Sequence, residues 1–184
     1  MHHIYTTEAF VVHSTPQGEA NKFLLLFTRQ FGMIGAVAQG IRLSQSKLRF
    51  HVQDSSYSTV SVVRGKEVWR LTGAVEIEHS KSKVIHLKIL KLLKRLLHGE
   101  EKNDSLFDIV HELYQSSIEE KDYETVECLT VLRILNSLGY IKNIEEFGYF
   151  LSSNTLDTDT LTKFLDIKPK AILAINQALK ESQL

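Results

Sequence analysis

The sequence holds one cysteine and two prolines in 184 residues. A single thiol, Cys128, makes neither an intramolecular disulfide nor a four-thiolate zinc site, which points to a reducing compartment, the cytoplasm by default. Long apolar runs are missing as well. None approaches the ~18 residues of a membrane span, and Met1 to Glu8 lacks a basic stretch followed by an apolar one, so neither membrane insertion nor secretion is expected. There is no Gly-x-Ser-x-Gly elbow, no phosphate loop and no dinucleotide fingerprint. Eight histidines are present, but His2 and His3 are terminal, and His13, His51, His79, His86, His98 and His111 offer no i, i+4 pair beside a carboxylate base. Cys128 lies in the negatively charged run Val126–Leu132, the opposite of what a reactive thiolate needs, and reads as a core residue. No metal, no cofactor and no active site are expected.

Net charge is absent too, since 22 Lys and Arg balance 22 Asp and Glu. The balance conceals a division: 14 basic and 6 acidic residues up to Arg95 give +8, and 8 basic and 16 acidic residues beyond it give −8. Between residues 81 and 95, Lys81, Lys83, Lys88, Lys91, Lys94 and Arg95 are accompanied by no acid. One reading is a first half that meets a polyanion. The other is two solvated surfaces that attract each other.

What is there begins as short β segments. Ala9–Val12, Phe23–Thr28 and Met33–Ala38 are β-rich runs separated by turn chemistry at Thr15–Gly18 and Phe31-Gly32. A fourth run, Tyr57–Val63, puts Ser58, Val60 and Val62 on one face. Arg64-Gly65-Lys66 turns it into a fifth run, Glu67–Glu78, whose alternation assigns Trp69, Leu71, Val75 and Ile77 to one face and Arg70, Thr72 and Glu76 to the other. Five short strands with no helix long enough for a parallel crossover favour a small closed barrel of the OB type over residues 1–79.

Near Ser80 the period changes from 2 to 3.6. Val84, Ile85, Leu87, Ile89, Leu92, Leu93, Leu96 and Leu97 form an apolar stripe, with Lys88, Lys91, Arg95 and His98 on the opposite face, in a helix stopping at Gly99. Further helices fit Ser105–Ser117 and Asp122–Leu138, the second stopped by Gly139. Ile144–Phe150 has no clear assignment and Ser152–Thr155 is loop. A last helix is expected from Pro169, burying Ile172, Leu173, Ile175 and Leu179. The expected class is therefore α+β, a barrel followed by an all-helical region over residues 80–184.

The cations Lys22, Arg29, Arg42, Lys47, Arg49, Arg64, Lys66 and Arg70 fall at strand ends, in the loop after the third strand or on the polar face of the fifth. Such positions can follow a phosphate backbone, although exposed turns carry lysine and arginine in any protein. Trp69 is either a stacking platform or core, and its phase with Leu71 favours core. Tyr57 and Phe50 can stack or pack.

Gly18-Glu19-Ala20-Asn21, Leu26-Phe27-Thr28-Arg29-Gln30-Phe31-Gly32, Ala38-Gln39-Gly40-Ile41-Arg42 and Ser46-Lys47-Leu48, at these spacings, resemble the amino-terminal OB-fold of the bacterial RecO recombination mediators. Val63-Arg64-Gly65 and Leu71-Thr72 extend the likeness to about residue 79. Leu132–Tyr140 is similar to the end of the central helix of that family's helical domain. Many members then carry a zinc module with paired Cys-x-x-Cys motifs; residues 141–153 here hold no cysteine, so the resemblance implies a short, zinc-free form.

The resemblance also implies a function. Such a chain would be a non-enzymatic mediator in DNA repair and recombination. It would bind single- and double-stranded DNA, anneal complementary strands, contact the acidic tail of the single-strand binding protein and, with a RecR-type partner, assist recombinase loading at gaps in the cytoplasm, at the nucleoid. The residues expected on nucleic acid are Arg42, Lys47 and Arg49, then Lys22, Arg64, Lys66 and Arg70, with Lys88, Lys91 and Arg95 on the helix. Base readout is not expected, because phosphate contacts carry no sequence information. Arg133, the only arginine after Arg95, is the candidate for the acidic tail; the alternative is pairing with Glu127 or another nearby acid. Two other classes remain open: an adaptor whose barrel binds a peptide, and a membrane-surface protein using the amphipathic helix Val84–His98.

Overall fold

The computed structural model describes residues 3–78, 82–141 and 145–181. The expected ends at His79, Ser80, Lys81 and Ile144, and the border between residues 79 and 80, lie outside the described residues.

Five strands, β1 (Ile4–Gln17), β2 (Asn21–Thr28), β3 (Gly32–Ala38), β4 (Tyr57–Arg64) and β5 (Trp69–Glu78), form a closed barrel in the order β1-β2-β3-β5-β4. β1 is far longer than the expected Ala9–Val12 because it serves two neighbours. Its first half pairs with β4, from Ile4↔Val63 to Phe10↔Tyr57, and its second half with β2, from Ala9↔Thr28 to Gln17↔Asn21. The register slips between Val11 and His13, and the bulge bends the strand from one partner to the other. A short parallel contact, Ala36↔Trp69 to Ala38↔Leu71, closes the barrel. This is the expected OB-type architecture.

Every second residue of each strand feeds the interior. Ala9, Val11, Leu24, Leu26, Ile34, Ala36, Ala38, Val60, Val62, Trp69 and Leu71 form one buried cluster, joined by Ile41 and Val52 from the β3–β4 connection. Ser58, Val60 and Val62 share the buried face of β4 as expected.

The expected face of β5 is corrected. Trp69 and Leu71 are buried, but Val75 and Ile77 are exposed and Ala74 packs on the core instead. The cause is a bulge: Ser61 pairs with Gly73 while the next residue, Val62, pairs with Leu71, so Thr72 has no opposite number. One extra residue inverts the phase of everything beyond it. The strand also starts at Trp69 rather than Glu67.

The rest of the described chain is helical: α1 (Lys83–Leu96), α2 (Asp104–Gln115), α3 (Tyr123–Ser137), the single turn α4 (Gly148–Leu151) and α5 (Thr158–Glu181). α3 buries residues around most of its circumference, from Thr125 and Val126 to Ile134 and Leu135, and is the centre of this part. Gly139 ends it with φ +77, and the Tyr140 amide donates to the Leu135 carbonyl at 2.8 Å. In α1 the buried stripe is Ile85, Ile89, Leu93 and Leu96, joined by His86 and Leu90, while Val84 is exposed and His98 lies beyond the helix.

The start of α5 is a second correction. Pro169 lies inside the helix, which begins eleven residues earlier behind Asp157, whose carboxylate accepts the Thr160 amide at 2.7 Å. The buried stripe then runs through Leu161, Phe164, Ala171, Ile175 and Ala178, leaving Ile172 and Leu173 exposed. Pro169 removes one helical hydrogen bond, to the carbonyl of exposed Leu165, which water can satisfy.

The chain divides into two compact units: residues 1–80 with 97–104, and residues 81–96 with 105–184. Residues 97–104 therefore group with the barrel, not with the helices that precede and follow them. Gly32 shows how closely they approach it. It holds φ +66, and a Cβ there would meet the Glu101 carbonyl oxygen at 2.1 Å.

Candidate nucleic-acid interface

The outer face of the barrel is built by the residues between the buried ones. Phe23 on β2 pairs with Val37 on β3, which pairs with Arg70 on β5. Each of the three has buried neighbours on both sides or one, so the row Phe23–Val37–Arg70 faces outward. The Phe23 ring lies over Gly35, where a Cβ would meet it at 2.6 Å. Lys22, half-buried, precedes Phe23 opposite Ala38.

Two loops are tied beside the start of β2. The Gly40 amide donates to Asn21 Oδ1 at 2.9 Å, and the Arg42 amide to the Ala20 carbonyl at 2.9 Å. Arg42 Nη1 donates to the Gly18 carbonyl at 2.7 Å, which ties an otherwise exposed side chain to the β1–β2 turn. Gly18 and Gly40 hold φ +62 and +65, a region that glycine enters without a Cβ penalty.

The long connection after β3 carries Lys47 and Arg49, both exposed. Arg49 lies over the Phe50 ring with its guanidinium carbon 4.6 Å from the centroid. At the β4–β5 turn, Arg64, Lys66 and Arg70 line a cavity of about 630 Å³ together with Val63, Gly65, Glu67 and Val68. Arg64 is already engaged: its guanidinium lies 5.3 Å from the Trp69 ring centroid, and Nη2 lies 3.2 Å from Glu100 Oε2. Among the described residues no acid lies within ion-pair distance of Lys22, Arg42, Lys47, Arg49, Lys66 or Arg70. Arg29, by contrast, donates through Nε to Glu8 Oε2 at 2.7 Å and supports the barrel.

The structure thus brings Lys22 and Arg42 to one set of loops and Arg64, Lys66 and Arg70 to another, with the row Phe23–Val37–Arg70 between strands. Lys88, Lys91 and Arg95 are exposed on α1 in the other unit, and Lys88 is paired with Glu127 at 2.5 Å. Trp69 is core, 2% exposed, with its indole N–H donated to Glu100 Oε1 at 2.8 Å. Tyr57 is core as well and stacks on Phe10 with centroids 4.7 Å apart.

Arg133 is 3% exposed, and its guanidinium serves backbone carbonyls rather than Glu127. Nε donates to Phe150 at 2.8 Å, Nη1 to Asn154 at 2.9 Å and Nη2 to Thr155 at 3.1 Å. Burial pushes its pKa down to about 10, partly offset by Glu112 and Asp157. The 190 Å³ cavity beside it is also lined by Asp157 and Asp159.

Sequence reasoning missed Glu100 and Phe23. Glu100 carried no signal, being 31 residues from Trp69; Phe23 could have been found from its phase opposite Leu24. Burial pushes the Cys128 thiol up to about 11, with Glu124 and Glu127 adding to the effect, so it is a poor nucleophile at neutral pH. Among the described residues there is no group of three or more His, Cys, Asp and Glu that could hold a metal ion, and no helix is long and apolar enough to cross a membrane.

Residues 1–79 match the family model described as Recombination protein O N terminal. The DNA repair protein RecO of Dehalococcoides mccartyi (strain CBDB1) is 38% identical over 76 residues, 41% of this chain and 30% of that protein. The likeness continues into the helices in two others. The DNA repair protein RecO of Heliobacterium modesticaldum is 28% identical over 143 residues, 74% of this chain and 52% of its own length, and that of Desulfitobacterium hafniense (strain DSM 10664 / DCB-2) is 26% identical over 153 residues, 78% and 55%. The chain spans from under a third to just over half the length of these relatives. The barrel is thus similar to the amino-terminal domain of RecO proteins, and a weaker similarity to RecO proteins runs on into the helical part.

Proposed function

We propose that this chain is a non-enzymatic mediator of DNA repair and recombination that holds DNA on its barrel and promotes annealing. The observation that carries the reading is the outward row Phe23–Val37–Arg70 across β2, β3 and β5, with Lys22 beside it and, in the adjoining loops, cations that have no acidic partner among the described residues. An apolar strip with cations around it suits a strand whose bases face the barrel and whose phosphates face the loops. Annealing two polyanions requires a surface that lowers their mutual repulsion, and Arg42, Lys47, Arg49, Lys66 and Arg70 supply one. Arg64 contributes once released from Glu100. The contacts are to phosphate, so binding is independent of sequence.

The partners belong to the same proposal: the acidic tail of the single-strand binding protein and a RecR-type protein, at the nucleoid in the cytoplasm. A tail carboxylate must reach its cation. Arg133 is buried, committed to three carbonyls and flanked by Asp157 and Asp159, which repel an acidic segment. Exposed Lys91 and Arg95 on α1, with Lys88 beside them, are the better supported docking cations.

The test is titration of labelled single- and double-stranded oligonucleotides at several salt concentrations, with fluorescence-detected annealing of complementary strands. Affinity that falls linearly on a log-log salt plot, together with accelerated annealing, is expected. No affinity for either oligonucleotide would remove the proposal and favour a peptide-binding adaptor.

A further inference from the structure

Two exposed large aromatic side chains stand out among the described residues, Phe50 and Tyr149, at 55% and 57% exposure. Tyr149 sits beside Lys163, which is already paired with Asp159, and near Asp157. Those acids repel a polyanion. Phe50 stands in the opposite setting: residues 39–53 contain Arg42, Lys47 and Arg49 and no acid.

The backbone beneath Phe50 is firmly held. On one side Leu48 packs on the barrel core, and on the other Val52 is 1% exposed within it. The Phe50 amide donates to the Lys47 carbonyl at 3.3 Å and the His51 amide to the Leu48 carbonyl at 3.0 Å, closing a tight turn over Leu48–Phe50. Ser58 Oγ donates to the His51 carbonyl and anchors the turn to β4. The ring is therefore held out into solvent by a fixed support, at the cost of leaving apolar surface wet. Arg49 adds its planar guanidinium against the ring. The guanidinium covers one face of the ring and puts a positive charge behind it, so the opposite face is the one a base would stack on.

We infer that Phe50, backed by Arg49, is a stacking platform for unpaired nucleobases, with Lys47 and Arg42 taking the neighbouring phosphates, and that it makes the protein prefer single strands to duplex. A base inside a duplex has both faces covered by its neighbours, so only an unpaired base can lie on the ring. The inference rests on the reading that the barrel binds nucleic acid, and it adds the form of nucleic acid and the residue that selects it.

The experiment compares the full-length chain with Phe50→Leu, Phe50→Trp and Arg49→Gln on three probes of equal length: an oligothymidine strand, an abasic strand with the same phosphates, and a duplex. Leucine keeps apolar bulk on an exposed turn, and thermal melts check that each variant is folded. The wild type should bind oligothymidine about tenfold more tightly than the abasic strand, Phe50→Leu should lose most of that ratio, and Phe50→Trp should keep it. Binding to the abasic strand should be unchanged by either substitution at Phe50. Equal affinity of wild type and Phe50→Leu for oligothymidine overturns the platform while leaving the barrel's role in DNA binding intact. A wild type that binds none of the three probes overturns the underlying reading, and a protein segment then becomes the occupant to seek.

Discussion

Glu100 joins Trp69 to Arg64: one carboxylate oxygen accepts the indole N–H at 2.8 Å and the other lies 3.2 Å from the Arg64 guanidinium. A chain segment that follows α1 thereby holds a cation of the proposed DNA surface. Replacing the carboxylate by an amide keeps an acceptor for Trp69 and removes the charge. Glu100→Gln should leave the fold intact, tighten DNA binding and steepen the log-log salt slope by about 0.7 on single strands, the amount for one added phosphate contact. Salt titration of both proteins measures it, and an unchanged slope would place Arg64 off the DNA path.

Arg42 and Lys47 come from the same connection and have no acidic partner among the described residues. Neutralising both to glutamine should weaken binding to every sequence alike and flatten the single-strand salt slope by about 1.4 units, at ~0.7 per contact. Both side chains are exposed, so the thermal midpoint should barely move. A loss confined to some sequences, or none, would show that neither residue meets a phosphate.

The three hydrogen bonds of Arg133 are its strongest structural signature. Arg133→Ala would leave the carbonyls of Phe150, Asn154 and Thr155 without these donors and open space beneath α4. A loss of about 3 kcal/mol in the stability of the helical unit is expected. Lysine keeps the charge but cannot reach three carbonyls from one ammonium, so Arg133→Lys should recover little of the loss. Denaturant unfolding of the three proteins decides the point. Equal midpoints would mean that the arginine is not the clasp of the 150–155 segment.

The barrel was legible because its information is local. Alternating strands and the turns at Gly18, Gly32 and Gly40 are written in consecutive residues, and so is the change of period before α1. What misled was non-local. Val75 and Ile77 continue the alternation of Trp69 and Leu71 in sequence, and only the pairing of β5 with Ser61 and Val62 places the bulge that turns them outward. Pro169 resembles a helix start, whereas the actual cap, Asp157, carries an equally good signal that proline overshadowed. Among the site residues, the loop cations could be named from turn chemistry. The engagement of Arg64 by Glu100 and of Arg133 by backbone carbonyls could not, because tertiary packing supplies both partners.

His86 gives the helical unit a dependence on pH. Its side chain is 1% exposed and lies 4.8 Å, centroid to centroid, from the Tyr114 ring. Burial lowers its pKa from 6.5 to about 4, against a smaller opposing hydrogen bond with the Leu113 backbone. Between those two values the unfolded chain binds a proton that the folded one does not, so acidification favours unfolding. The contribution of neutral His86 is fully present above pH 6.5 and is lost progressively as the pH falls towards 4. The loss amounts to at most about 3 kcal/mol, from ~1.4 kcal/mol per pKa unit. His86→Phe keeps an aromatic ring against Tyr114 and cannot take a proton. Helical circular dichroism followed through denaturant unfolding at pH 7 and pH 5 should show a smaller drop in stability for this variant than for wild type. If both lose the same amount, other groups, such as the carboxylates, carry the acid sensitivity and His86 is protonated without cost.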